Sequence, residues 1–286
     1  MVADPFRALY SALLNAESDG DDVPRLLAKS AANATIQETM CSVPWLKHPG
    51  PRLGHSDGEL QASWALYALS RVSDYLLLSF QGRSDEPVPF PAIATATYLE
   101  FFGALGFRAR REASFSPFFH EIVEVVVCDD PESGIQIEHE FWPGLMLGSL
   151  LFGRAGVRIR CHSSLVQKGH AESTLMCFAY RRHRRRAADR SLGWGSNSQW
   201  RTLFRRDYVD GDLFRFNVDG EVDIGGPEPR AIAGMKDFND DLPIALRREL
   251  LVHRCFVSQP YPWDNAEDWP SRDTLVVRRN DPLVSP

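Results

Sequence analysis

Residues 118–144 read FFHEIVEVVVCDDPESGIQIEHEFWPG, and this stretch decides the fold. Two runs rich in β-branched and aromatic residues, which are typical of strands, flank the segment 129–134, whose residues favour turns. Two strands joined by a short turn form a β-hairpin, so the stretch predicts a hairpin. The pattern of the chain also changes here, from helical spacing of apolar residues to strand-like runs.

The chain before this stretch is predicted to be helical. Asp4 and Pro5 supply an N-cap residue and a first-turn proline, and apolar residues follow at helical spacing. Ser56 and Glu59 stand three residues apart, which is the pattern of a capping box at a helix start. Helices are therefore predicted from Pro5, from about Asp22, after Ser56 and between Pro91 and Gly106.

The chain after residue 116 is predicted to form mainly strands. They are expected near 118–128, 135–142, 156–162, 173–181 and 213–218. Segment 142–153 is interpreted as a short buried helix, 220–241 as a surface loop, and Asp241 as the start of a last helix. The tail after Gln259 is expected to cross the surface without regular structure.

These elements predict an α+β fold. A helical N-terminal half, 1–110, is expected to pack on a mainly antiparallel β-sheet region, 111–286, which ends in a C-terminal helix and an extended tail. The two regions are expected to form one compact unit.

Composition and charge narrow the class of protein. The net charge of −6 argues against general nucleic-acid binding. Five cysteines, an odd number without any CxxC pair, favour reduced thiols in the cytoplasm. The start of the chain lacks a signal-peptide pattern, and the longest apolar run, 141–153, is too short to span a bilayer. We therefore expect a soluble, cytoplasmic protein without a membrane partner.

The predicted hairpin offers a candidate metal site. Strand side chains alternate with period two, so His120 and Glu124 are expected to share a face, and a helix would also keep residues four apart together. If Pro131 and Glu132 lie at the centre of the turn, Glu124 lies opposite His139. Two imidazoles and one carboxylate bind iron in non-haem enzymes, and zinc accepts the same ligands. Iron or zinc is thus a possible cofactor, with Glu124 as the candidate catalytic residue.

Two alternatives for this segment stay open. A slip of one residue in the hairpin register would replace His139 on that face by Glu138 and Glu140. Alternatively, the His and Glu side chains form an ordinary solvated face of a sheet. The sequence HEIVE is not the HExxH motif of metalloproteases, so no protease is predicted.

Further candidate binding residues follow the hairpin. Arg158, Arg160 and His162 are expected to share a strand face and to bind an anionic substrate, or else to face solvent. The loop GWGSNSQWR, 193–201, carries Asn197 and Gln199 as candidate substrate-binding residues. A packed structural loop anchored by tryptophan is the other interpretation of that segment.

The segment RRHRRRAADR, 181–190, is strongly basic, and Arg201, Arg205 and Arg206 follow it. Closely spaced guanidinium groups bind phosphate or RNA. The alternative is a solvated edge, whose charges are balanced by the excess of acidic residues in the chain.

Three functions are therefore compared. The first is a metal-dependent enzyme, an oxygenase or a hydrolase, that acts on a small anionic molecule through His120, Glu124 and His139. The second is a non-catalytic protein-binding module of an immunity or regulatory type. The third is RNA or phosphate binding through 181–206.

Overall fold

The structure, a computed structural model, describes residues 4–19, 23–54, 56–80, 93–173, 200, 202–232, 242–259 and 272–285. The chain forms two compact units. The helical unit comprises Met1–Lys47, Leu53–Ala109 and Arg181–Phe204. The sheet unit comprises His48–Arg52, Arg110–Tyr180 and Arg205–Pro286.

The described part of the helical unit contains α-helices of 8 to 20 residues. They are α1 (Pro5–Asp19), α2 (Val23–Ala31), α3 (Ala34–Cys41), α4 (Asp57–Leu76) and α5 (Thr95–Ala104), with short 3-10 helices at Pro44–Lys47 and Leu77–Phe80. Side-chain oxygens satisfy the free N–H groups at two helix starts. Asp4 Oδ1 accepts the N–H of Phe6 at 2.8 Å, and Asn33 Oδ1 accepts that of Thr35 at 2.9 Å.

The helices predicted near residues 5 and 22 are confirmed as α1 and α2, whereas α3 was not predicted. The predicted helix after Ser56 is confirmed as α4, but its capping box is wrong. Ser56 Oγ donates to Glu59 Oε2 at 2.6 Å, and its side chain makes no capping bond to the backbone. In a capping box the hydroxyl of Ser56 and the carboxylate of Glu59 would each accept a hydrogen bond from a backbone N–H. Here the hydroxyl donates to the carboxylate instead.

Helix α4 forms the buried centre of the helical unit. Leu66 and Val72 are fully buried, and each contributes roughly 1.5–3 kcal/mol through burial. The ring of Tyr75 lies edge-on to that of Tyr10 in α1, with the ring centres 5.6 Å apart. Among the described residues, no helix is long and apolar enough to cross a membrane.

The sheet unit is built mainly from short strands. Strand β1 (Arg108–Arg110) spans the boundary between the two units in the sequence. The strands that lie wholly in the sheet unit are β2 (His120–Cys128), β3 (Gln136–Trp142), β4 (Gly144–Leu147), β5 (Leu150–Gly153), β6 (Ala155–His162), β7 (Asp207–Asp210), β8 (Leu213–Phe216), β9 (Val222–Asp223), β10 (Arg230–Ala231) and β11 (Asp273–Arg278). A 3-10 helix covers Ala171–Ser173, and α6 covers Ile244–His253. The fold is therefore α+β, as the sequence predicts.

The strands form two sheets. In the large sheet, the strands that lie wholly in the sheet unit follow the order β4-β5-β7-β8-β11-β9-β10, and these neighbours pair antiparallel except β11 and β9. The small sheet has the order β2-β6-β3. The rings of Phe118 and Phe214 stack with centres 4.1 Å apart in the core of the large sheet, which also contains Leu251 and Val252 of α6. Ile122 and Ile159 belong to the core of the small sheet.

Three predictions about elements of this unit are wrong. Segment 220–241 is predicted to be a surface loop, but it contains β9 and β10. Segment 142–153 was interpreted as a helix, but it forms the hairpin of β4 and β5. A continuous apolar run fits a buried helix and a buried strand equally well, and Gly148, with φ +63°, allows the turn between the strands. The tail was expected to lack regular structure, yet its residues 273–278 form β11 between β8 and β9. Residues 173–181 and 260–271 are largely outside the described part of the chain.

Candidate functional site

The predicted hairpin of β2 and β3 does not form, because β6 lies between the two strands. Strand β6 pairs parallel with β2 and antiparallel with β3. Val157, Ile159 and Cys161 alternate along β6 and are buried in the core of the small sheet. The strand with the most residues in this core thus takes the central position, and both predicted registers of the hairpin are wrong.

A β-bulge in β2 separates His120 from Glu124. Ile122 lies opposite Val157 and Glu124 lies opposite Arg158, so Val123 is an extra residue between these two pairs. Neighbouring residues of β6 point to opposite faces, and the extra residue therefore moves Glu124 to the face opposite His120. The prediction that His120 and Glu124 share a face is wrong for this reason.

His120 is a core residue of the sheet unit. Only 2% of it is exposed, and its ring stacks on Phe115 with the centres 5.6 Å apart. The N–H of Ser116 donates to His120 Nδ1 at 3.0 Å. Burial lowers the pKa of His120 from 6.5 to about 4, so the imidazole is neutral at pH 7.

The outer face of the small sheet brings Glu124, Arg158 and His139 into one row across the three strands. Arg158 Nε and Nη2 both lie 2.6 Å from Glu124 Oε2. The guanidinium carbon of Arg158 is 5.6 Å from the ring centre of Phe141, and the ring of His139 lies edge-on to the same phenyl ring at 4.7 Å. A fixed positive charge thus occupies the position where the sequence predicted a metal ion.

The next positions on this face are also polar. Arg160 is paired with Glu138, and His162 Nδ1 is 2.8 Å from the hydroxyl of Ser164. Glu140, the other carboxylate considered for a metal, forms an ion pair with Arg111 at 3.0 Å. Within the described ranges, no group of three or more His, Cys, Asp and Glu side chains is arranged to hold a metal ion.

We call the surface of Glu124, Glu138, His139, Phe141, Arg158, Arg160 and His162 the outer sheet face. Arg158 and Arg160 expose 39% and 44% of their side chains, and Glu124 exposes 41%. Positive and negative groups alternate across the face, and Phe141 is half-buried beside Arg158. The face presents polar and aromatic groups on a single layer of strands.

The candidate residues Asn197 and Gln199 lie outside the described residues, as do Arg201 and the whole of 181–190. Trp200 is described and is buried in the helical unit. The guanidinium carbon of Arg71 lies 4.1 Å from the ring centre of Trp200, and the ring of Tyr10 lies 5.3 Å from it. Cation–π contacts of this kind hold Trp200 in the packed interior.

Arg205 and Arg206, which were considered as part of a phosphate-binding segment, bind carboxylates inside the sheet unit. Arg206 Nε and Nη2 donate to the two oxygens of Asp219 at 2.7 and 2.6 Å. Arg205 Nε donates to Asp207 Oδ1 at 2.9 Å. Both guanidinium groups therefore form ion pairs inside the sheet unit.

A buried cluster of Arg154, Arg205, Arg254 and Asp207, here called the Asp207 cluster, was not predicted. Asp207 is fully buried, and its Oδ2 accepts from Arg254 Nη2 at 3.1 Å and lies 3.9 Å from Arg154 Nη2. Burial alone would raise the pKa of Asp207, but the three guanidinium charges more than offset it and hold the pKa at about 2. Arg154 and Arg254 are each about fifty residues from Asp207 in sequence, and nothing in the local pattern around either arginine indicates that they meet it.

The arginines of the Asp207 cluster also bind the carbonyls at the end of α6. Arg154 Nη1 donates to the carbonyl of Val252 at 2.8 Å, and Arg205 Nη2 donates to that of Leu251 at 2.7 Å. Cations are favourable at a helix C-terminus, where the last carbonyls lack partners in the helix. The cluster thus fixes α6 on the large sheet.

A second buried ion pair links α6 to the same sheet. Arg247 donates through Nε to Asp273 Oδ2 at 2.9 Å and through Nη2 to Asp273 Oδ1. Many of the arginines counted in the sequence are therefore structural.

In comparisons with known proteins, no family model, curated protein or solved structure matches the chain.

Proposed function

We propose that this chain is a non-catalytic binding module that recognises a partner protein through the outer sheet face. The observation that carries the proposal is the group of Arg158, Phe141 and His139, which are in contact on an open surface. Arginine and aromatic residues are enriched at protein interfaces and supply much of the binding free energy there.

The ion pairs of the face support this function because they fix the arginines before a partner arrives. Glu124 holds Arg158, and Glu138 holds Arg160. A side chain that is already ordered loses less conformational entropy on binding, and this loss costs roughly 0.5–1.5 kcal/mol for a long side chain. Both arginines keep exposed N–H groups, so a partner with carbonyl or carboxylate oxygens can still bind them.

The metal-dependent enzyme receives less support from the same residues. A metal ion at Glu124 would have to displace Arg158 from the carboxylate, and the two imidazoles lie on opposite faces of the sheet. RNA binding through 181–206 also receives less support, because Arg205 and Arg206 bind carboxylates inside the sheet unit. We therefore expect protein purified without a His tag to contain less than stoichiometric iron and zinc, as elemental analysis will measure.

The proposal is tested by reversing one charge on the face. We expect a partner protein to co-purify with the wild-type chain at near-physiological salt and to bind Arg158→Glu at least about tenfold more weakly, which corresponds to about 1.4 kcal/mol. Quantitative mass spectrometry identifies the partner, and titration with the purified partner gives the affinity.

The matched control is Arg215→Glu, because Arg215 forms an ion pair with Asp210 at 2.7 Å and exposes 37% of its side chain, close to Arg158. A double variant, Glu124→Arg with Arg158→Glu, keeps the ion pair in reversed order and separates lost contacts from lost stability. The control should bind normally, and the double variant should not. Recovery of no partner, or equal binding by Arg158→Glu, would contradict the proposal.

A further inference from the structure

The charges of the outer sheet face point to the kind of protein segment that it recognises. We infer that the partner presents an extended acidic segment, in which carboxylates at alternate positions bind Arg158 and Arg160 of β6. This inference rests on the proposed function, because it names the chemistry of the partner at the same face.

The two arginines are spaced to meet such a segment. Arg158 and Arg160 are two residues apart in β6, and the register of β6 with β2 is regular from Arg158 to His162, so both side chains leave the same face of the strand. Two residues of a strand span about 7 Å. An extended segment repeats its side chains on one face at the same interval, so acidic residues at alternate positions match both arginines.

Each arginine keeps donors that its own glutamate does not use. Nε and Nη2 of Arg158 both lie 2.6 Å from one oxygen of Glu124, and Nε of Arg160 donates to Glu138. Among the described residues, Nη1 of Arg158 and both Nη atoms of Arg160 donate to no acceptor. A guanidinium group has five N–H donors, so it can bridge a carboxylate of its own chain and one of a partner.

The ion pairs of strand β3 present their arginines to solvent more than their carboxylates. Arg160 exposes 44% of its side chain, whereas Glu138 exposes 26%. Arg111 exposes 64%, whereas Glu140 exposes 25%. In the pair at Arg158 the two exposed fractions are nearly equal. An approaching surface therefore meets more positive than negative groups here, which favours a negatively charged partner segment over a positively charged one.

Two other occupants fit these charges less well. Since β6 is the central strand, two copies of the chain stacked face to face would bring the arginines of one β6 against those of the other. A nucleic acid carries a phosphate charge at every nucleotide, and Glu124 in β2 and Glu138 in β3 would repel such a continuous line of charges on both sides of β6. Acidic residues separated by neutral ones place negative charge only at the arginines.

The test uses a synthetic peptide in which aspartate and serine alternate. It is titrated at low salt into the full isotope-labelled chain, and NMR follows the Nε–Hε signals of Arg158 and Arg160. We expect saturable shifts of both signals that weaken at physiological salt, because exposed ion pairs are screened. A peptide of the same length in which lysine and serine alternate should leave both signals unchanged. No shift with the aspartate peptide, or a shift with the lysine peptide, would overturn the inference.

A third peptide separates the spacing of the carboxylates from their charge. It has the same number of aspartates, grouped as two aspartates followed by two serines, so that an extended chain presents neighbouring carboxylates on opposite faces. Each exposed ion pair is worth about two- to fivefold in affinity, so we expect this peptide to bind weaker than the alternating one by about that factor. Equal affinity of the two peptides would show that only net charge matters and would contradict the inferred segment.

Arg160→Gln should weaken binding of the alternating peptide by the same factor of about two to five, because it removes one ion pair. The matched control is Arg215→Gln, since Arg215 is also paired with a carboxylate and exposes 37% of its side chain. The control should bind the peptide as wild type does. An equal loss in both variants would mean that the peptide responds to the total charge of the chain, which would overturn the inference.

The outcome can be distinguished from that of the proposed function. If a captured partner depends on Arg158 but the alternating peptide does not bind there, the outer sheet face is a protein-binding site and the acidic segment is wrong. If the alternating peptide binds as expected and no partner is captured, the preference for acidic segments is supported and the proposed function fails.

Discussion

Asp207 is the residue on which we expect the sheet unit to depend most strongly. Its carboxylate lies among three guanidinium groups and is fully buried. Asp207→Asn removes the negative charge and leaves the guanidinium groups uncompensated, so it should lower the free energy of unfolding by about 3–5 kcal/mol. Urea denaturation measures the loss. The control Asp210→Asn breaks an exposed ion pair and should cost less than about 1 kcal/mol.

The contribution of Asp207 also sets a dependence on pH. Its pKa is about 2 in the folded chain, below its ordinary value of 3.8, because of the surrounding arginines. The folded state therefore favours the ionised carboxylate, and the stabilisation is complete above about pH 4 and is lost as the pH falls towards 2. The difference in urea midpoint between wild type and Asp207→Asn should shrink over this interval. A constant difference from pH 5 to pH 2 would contradict the assignment.

His120 should make the protein less stable in mild acid. Burial lowers its pKa to about 4 in the folded chain, whereas the unfolded chain binds the proton near pH 6.5. As the pH falls from 6.5 to 4, the unfolded state gains a proton that the folded state does not, which lowers the free energy of unfolding by about 3 kcal/mol. His120→Asn keeps an acceptor for the N–H of Ser116 without a titrating group. Its stability at pH 4, relative to pH 7, should therefore fall by correspondingly less than that of wild type.

Single residues also explain why the candidate site was not predictable. In a regular strand His120 and Glu124 share a face, but Val123 interrupts that regularity in β2. A second irregularity follows Ile137 in β3 and places His139 opposite Arg158. Bulges of one residue leave no trace in the apolar pattern, since Val123 and its neighbours are all typical of strands.

At the scale of elements, the contact between β3 and β6 depends on a glycine. The indole ring of Trp142 lies over Gly156, where any Cβ atom would overlap the ring, and Trp142 Nε1 donates to the carbonyl of Arg154 at 3.0 Å. Gly156→Ala should therefore lower the free energy of unfolding by roughly 1–3 kcal/mol, as urea denaturation will show. Gly153→Ala, in β5, meets no atom within 4 Å and should change stability much less. Equal effects of the two substitutions would show that backbone freedom, not the indole contact, is responsible.

The bounds of individual strands were more predictable than which strands pair with each other. The bounds of β2, β3, β6 and β8 agree closely with the runs of strand-forming residues, because local propensity and period decide them. The order of the strands is decided by contacts between distant residues, and the sequence pattern favoured the nearest partner for β2. The prediction of a helix over 142–153 was wrong for a related reason, since the uninterrupted apolar character of this segment does not distinguish a helix from two buried strands.

At the scale of the whole molecule, each unit takes segments from distant parts of the chain. Trp200 belongs to the helical unit, although more than a hundred residues separate it from Arg71 and α4. Trp200→Ala should speed amide hydrogen exchange in α1 and α4 more than in β6, because the lost contacts lie with Tyr10 and Arg71. Mass spectrometry of peptides measures the exchange. The control Leu203→Ala removes a residue that is 45% exposed, and it should leave exchange in both helices nearly unchanged.

Overall composition predicted the class of fold but not the use of its charges. The chain has four lysines among its 32 basic residues, and arginine suits the bidentate binding of carboxylate or phosphate, but this excess by itself indicates no function. The described structure places Arg154, Arg206 and Arg247 in the interior, where their fork-shaped groups bind carboxylates or helix carbonyls. Which arginines face solvent depends on the tertiary fold, so the number of arginines in the sequence could not distinguish the buried ones from the exposed ones.

The central position of β6 has a consequence for the order of folding. During synthesis β2 and β3 emerge first, and each must wait for β6 before its native partner exists. Until then the two strands are free to pair with each other as the local hairpin, whose loop closes faster than the longer connection to β6. The native sheet therefore forms only after that early pairing is undone or avoided. The short turn at 129–134 thus speeds the wrong pairing, and lengthening it with flexible residues should accelerate refolding.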